Sequence, residues 1–149
     1  MNYQNLVKDF ALRTRDNLNA LRELKNSHPN VKVFEVTQLI NSMLGLLVLP
    51  QQRCFQAISE RSISDMSKEG WPTPKVEGKY RQVTGLRQFL RYLRNAIAHF
   101  NVEFRVSTEG QINGLVVWNV LEGKVNWRAS LSLEDIEKIT EKLSQLVIV

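Results

Sequence analysis

Arg94 and His99, five residues apart, are the side chains in this chain best suited to chemistry on a phosphate. Projected on a helix at about 100° per residue, positions 83–100 put Leu86, Phe89, Leu90, Leu93, Ala96, Ile97 and Phe100 on one apolar face. The opposite face carries Arg87, Arg91, Arg94, Asn95 and His99, with only the small Ala98 among them. Arg94 and His99 then stand about 140° apart around the axis, as two arms over a saddle made by Asn95 and Ala98. Arginine stays charged and donates to phosphate oxygens, while histidine moves protons near neutrality. A strand with a 2′-hydroxyl beside each phosphate brings its own nucleophile, so such a pair can break it by moving protons and stabilising charge. Asn95, one turn before His99, can orient the imidazole or touch phosphate. This chemistry requires no metal, and no carboxylate cluster adjoins the motif as a two-metal nuclease would need; the expectation is no cofactor.

An arginine five places before a histidine arises by chance in about 15% of chains of this composition, so the surrounding letters carry the specificity. Arg94-Asn95-Ala96-Ile97-Ala98-His99 resembles the R-(polar)-x-x-x-H motif near the end of the last core helix of the HEPN superfamily. The trailing Phe100-Asn101 resembles small stand-alone HEPN proteins of bacterial plasmids and defence loci. Two further stretches resemble the same subgroup: Arg13-Thr14-x-x-Asn17-Leu18, and Phe34-Glu35-Val36-Thr37 through Leu44-Gly45-Leu46-Leu47-Val48-x-Pro50. The resemblance implies a helical core, a symmetric dimer and metal-independent RNA cleavage, with a role as a toxin or phage-defence effector. It leaves open a non-catalytic RNA- or nucleotide-binding module regulated by a nucleotidyltransferase-type antitoxin.

One helix offers one histidine, whereas the reaction benefits from a base and an acid. A homodimer pairing two motifs about a twofold axis supplies both. The expected catalytic set is therefore Arg94, His99 and Asn95 from each subunit, extended along the RNA by Arg91, Arg87, Tyr92 and Asn101. Arg13 and Asn17 form a second tier, either as part of the RNA groove or as a buried hydrogen-bonding set between helices. Trp71, between Gly70 and Pro72, either stacks on a base or pins its loop to the core.

The charge balance agrees. Residues 75–105 hold seven cations against two carboxylates, and most of the net charge of +5 is concentrated there. An arginine-rich face of this kind suits phosphate and matches the electrostatic footprint of a nucleic-acid binder. A length of 149 residues with 43% hydrophobic content suits one domain with a sizeable core. The single Cys54 cannot form an internal disulfide, and its surroundings suggest a small packing residue. The opening residues show no signal-peptide pattern and the apolar run 39–49 is too short to span a bilayer, so the expected location is the cytoplasm.

The elements that must position the motif follow from periodicity. A first helix is predicted over 5–26, with Leu6, Phe10, Asn17, Leu21 and Leu24 in its stripe, widened by Val7, Ala11 and Leu18. A second, over 33–49, is apolar enough to be the central buried helix or a dimer seam, with Pro50 as its stop and Gly45 admitting close approach of another backbone. Residues 51–59 suggest a short helical piece, and the Ser/Pro/Gly-rich 62–78 a long mobile loop. After the central helix the period becomes alternating, which predicts strands over 102–106, 112–121 and 124–131 as a three-stranded antiparallel meander. Ser132-x-x-Asp135 has the form of a capping box opening a final helix. The predicted class is mainly α (α+β): an antiparallel helical bundle over about 1–101, then the meander and final helix over 102–149.

Overall fold

The computed structural model describes residues 3–49 and 55–148. In chain order these form α1 (Tyr3–Ser27), α2 (Glu35–Val48), α3 (Ile63–Lys68), β1 (Lys75–Val76), α4 (Leu86–Ala98), β2 (Val102–Val106), β3 (Ile112–Leu121), β4 (Lys124–Ser132) and α5 (Leu133–Ile148). Pro50 and Cys54 lie outside the described residues, as do positions 51–54 of the predicted helical piece; Phe55 and Gln56 are helical.

The buried line of α1 is Val7, Ala11, Thr14 and Leu18, spaced by three and four residues and packed against α2 and α5. The stripe predicted for this helix is thus rotated: Leu6, Phe10 and Leu24 stay partly exposed, and Asn17 faces solvent. The smaller side chains let the helices approach, and the larger ones flank the seam. Phe10 then lies over Gly45 of α2, where an added Cβ would sit 2.8 Å from its Cζ. Gly45 therefore accommodates an aromatic ring, where the sequence suggested another backbone. Leu39, Ile40, Met43, Leu46 and Leu47 bury α2 between α1, α4 and α5, making it the central helix.

The sheet has four strands in the order β1-β4-β3-β2, all pairs antiparallel, which corrects the predicted meander of three. The additional strand lies in the stretch read as a mobile loop. Lys75 and Val76 pair with Ser130 and Ala129, too few residues for alternation to show in sequence. What holds them is Glu77: its N–H donates to the Arg128 carbonyl (2.9 Å), and its carboxylate accepts from Ser130 Oγ, Arg105 and Arg128. The same stretch contains α3, capped by Ser62, whose Oγ accepts from the Asp65 N–H (3.1 Å).

One face of the sheet receives α4, through Leu115, Val117, Trp127, Ala129 and Leu131. On the other, Val116 is buried and pairs with Ser130, which shares the Glu77 carboxylate with Arg105 and Arg128, and the Arg128 guanidinium lies 5.2 Å from the Trp118 ring centre. The β2–β3 register shifts at Arg105/Val106, and the β3–β4 register at Asn119/Val120. Glu122 (φ 50°) and Gly123 (φ 75°) make the tight β3–β4 turn, where two left-handed residues match the strands' twist. The predicted capping box opens α5: Ser132 Oγ accepts from the Asp135 N–H (3.1 Å), and Asp135 accepts from the Ser132 N–H (2.9 Å). Among the described residues no helix is long and apolar enough to cross a membrane.

Candidate functional site at the exposed face of α4

Leu86, Phe89, Leu90, Leu93 and Ala96 are all essentially buried against β3 and α2, which fixes the rotation of α4 about its axis. Arg87, Arg91, Ala98 and His99 consequently face solvent. Both ends of the helix are anchored. Gly85 has no side chain to cap its start; instead Glu60 Oε1 accepts from the Arg87 N–H (3.2 Å) and the Arg61 carbonyl accepts from the Leu86 N–H (3.0 Å). A carboxylate there also meets the positive end of the helix dipole.

At the other end, the Phe100 N–H donates to the Ile97 carbonyl (3.1 Å) and the Asn101 N–H to the Ala96 carbonyl (2.7 Å). This is a Schellman closure with His99 as the C-cap and Phe100 in the left-handed position at φ 57°. Glycine is the usual occupant, and an L-residue there costs about 1–2 kcal/mol. The Asn101 carbonyl then accepts from the Trp118 N–H (3.2 Å), tying the helix end to β3. His99 is therefore held at an exposed corner by its backbone.

The motif residues diverge within one copy. Arg94 turns toward a cleft of about 290 Å³ between α4 and the 55–60 segment, where Arg87, Gln88 and Arg91 face Phe55, Gln56 and Glu60. Its Nε is buried without a hydrogen-bond partner among the described residues. Arg87 Nε donates to the Ile58 carbonyl (2.7 Å), and Glu60, engaged with two backbone N–H groups, is the only carboxylate lining the cleft among the described residues. Asn95 points the other way. Its Nδ2 donates to Asn119 Oδ1 (3.3 Å), Asn119 Nδ2 to Asn126 Oδ1 (2.7 Å), and Asn126 Nδ2 to the Tyr92 hydroxyl (3.4 Å).

Tyr92 completes this polar chain with its ring 5.5 Å from that of Trp127, so it faces the sheet rather than continuing the arginine row. Asn101 is half-buried just before β2. Arg13 and Asn17 are exposed on α1, which packs on α2 and α5, and Arg13 pairs with Asp9 (2.9 Å). Only Thr14 of that trio is buried. Trp71, 5% exposed, belongs to the core and pins its loop, so it offers no free face to a base. Asn119 and the 58–60 wall were not among the predicted site residues. A polar residue interrupting the apolar run of β3 was the signal for the first; the second has no local signature. Larger clefts lie beside Trp71 and Lys142 (about 440 Å³) and between α1 and α5 (about 350 Å³), but neither includes the motif.

The helical core thus ends α4 in Arg-Asn-x-x-x-His beside a small antiparallel sheet, and the motif resembles that of a HEPN-type module. The family model described as HEPN pEK499 p136 matches residues 1–149, and the chain belongs to that HEPN family. No curated protein and no solved structure matches it.

Proposed function

We propose that this HEPN protein is a metal-independent endoribonuclease acting as a homodimer, with Arg94 and His99 of both subunits at a composite site. The observation that carries the reading is the exposed His99 imidazole at the end of a helix whose arginines line an open cleft. One imidazole takes the 2′-hydroxyl proton as that oxygen attacks phosphorus, and the other protonates the departing 5′-oxygen as the P–O bond breaks. Arg94 balances the charge on the phosphorane, and Arg91 and Arg87 hold the strand on either side. The products are a 2′,3′-cyclic phosphate and a 5′-hydroxyl. Because Arg94 and His99 stand about 140° apart in helical projection, a second copy supplies the missing half.

The test is cleavage of labelled single-stranded RNA and tRNA by the purified protein. Arg94→Ala and His99→Ala should each abolish cutting, with dimerisation measured by sedimentation unchanged and EDTA without effect on wild type. Undiminished cutting by His99→Ala removes that residue from the mechanism, and a 3′-hydroxyl product end implies a different reaction. A non-catalytic RNA- or nucleotide-binding module is the second reading, favoured by the Asn95 amide being committed to Asn119. Reversible binding without cleavage by wild type selects it. A toxin or phage-defence role, cytoplasmic location and control by a nucleotidyltransferase-type antitoxin extend the proposal by family analogy. Growth arrest on expression, absent in His99→Ala, tests the first of these.

A further inference from the structure

The residue beside His99 is disfavoured in both conformation and solvation. Phe100 holds φ 57°, where glycine would be at ease, and leaves its side chain 81% exposed, the highest value among the exposed large hydrophobic residues. Two backbone hydrogen bonds of the helix closure fix that conformation, so the ring stands on a rigid mount directly after the histidine. A strained, exposed aromatic residue at a candidate site invites a search for the ligand that uses it.

The neighbourhood narrows the choice. The helix ending at this ring carries Arg87, Arg91 and Arg94 and no carboxylate between Leu86 and Ala98. A second copy meeting this face adds its own three arginines, so the shared surface requires an anionic occupant. Single-stranded nucleic acid offers a flat aromatic face and negative charge together, and its bases are free to stack. We infer that Phe100 is a base-stacking platform: it takes the face of an unpaired nucleobase in RNA whose phosphates lie along Arg91 and Arg94. The inference rests on reading α4 as the RNA-contacting face, but not on the RNA being cut there.

The experiment uses the full chain carrying His99→Ala, so that bound strands stay intact. Fluorescence anisotropy measures binding of a labelled single-stranded oligoribonucleotide and of a blunt duplex, with Phe100→Gly, Phe100→Leu and Phe100→Trp added in turn. Phe100→Gly suits the left-handed backbone and preserves the fold. The Gly and Leu variants should bind the single strand about 5–150-fold more weakly, while Trp stays close to Phe and duplex binding is unchanged. A 2-aminopurine in the strand should be quenched on binding with Phe or Trp at this position and much less with Leu.

Equal single-strand binding by Phe and Leu overturns the inference. So does loss of dimer in Phe100→Gly by sedimentation, which assigns the ring to a contact between copies. Failure of wild type to cleave RNA refutes the ribonuclease reading while leaving the stacking result intact. Absence of RNA binding by every variant overturns both.

Discussion

Gly85→Ala should loosen the helix that carries the motif, through contacts far from the motif itself. The backbone at Gly85 is extended (φ 174°), so alanine is conformationally acceptable and the cost is steric. An added Cβ would sit 2.5 Å from the Arg61 carbonyl oxygen and 2.7 Å from Glu60 Oε1. Reaching ordinary contact requires those atoms to retreat by about an ångström. The retreat stretches the Leu86 N–H bond to Arg61 (3.0 Å) and the Arg87 N–H bond to Glu60 (3.2 Å) beyond useful length. Overpacking costs about 1–3 kcal/mol and each of the two lost bonds about 0.5–1.5 kcal/mol, so a total of about 2–6 kcal/mol is expected. For a chain of this size that lowers Tm by about 4–24 °C. Urea unfolding followed through the fluorescence of buried Trp127 measures the change. A midpoint within about 0.5 kcal/mol of wild type would refute the claim that this junction is rigid.

Gly45→Ala is the contrasting case: the obstructing atom is the tip of the partly exposed Phe10 ring, which can swing away. Removing a helix-interior glycine gains up to about 1 kcal/mol, so stability should be unchanged or higher; a loss above about 1 kcal/mol in urea unfolding contradicts that. Ser130 Oγ, foremost, with Arg128 and Arg105, holds the Glu77 carboxyl below the usual carboxylate range, so its stabilisation is present above the unfolded-state value and lost as pH falls through the folded one. Glu77→Gln should accordingly destabilise at pH 7, with the difference from wild type shrinking on acidification below about pH 4.5; a constant difference across that range argues against ionic control. Asn119→Leu should cost about 1–3 kcal/mol in urea unfolding by stranding the amides of Asn95 and Asn126, and a silent substitution removes Asn119 from the scheme.

The helix α4 was legible because burial there is set by one stretch of chain. Its apolar residues recur at helical spacing, and packing against β3 merely confirms the face they define. The Ser132–Asp135 box was legible for the same reason, being contained within four residues. Ser62–Asp65 has the same letters and caps α3, but the Ser/Pro/Gly content around it favoured a loop reading. Other features depend on distant partners. β1 exists through Glu77 reaching Arg128 and Ser130, more than fifty residues on. The cleft beside Arg94 is bounded by a wall more than thirty residues upstream, and Asn95 is claimed by Asn119 on another element. Periodicity carries no information about such pairings. It could show that Arg94 and His99 diverge around the axis, but not what stands on each side.

The register shift at Arg105/Val106 has a consequence for how copies of this chain meet one another. β1 closes one border of the sheet and leaves β2 as the other, bearing the half-exposed Phe104 and Val106. An unbroken ribbon with such side chains would be an inviting template for a stray strand from a neighbour. The irregular step, with Asn113 of β3 as its extra residue, adds local twist at this border, and the ionic side chains of Glu103 and Arg105 alternate with the apolar ones. Uncontrolled strand-to-strand growth is thereby discouraged at the border adjoining the motif, leaving assembly to surfaces that do not require new backbone pairing.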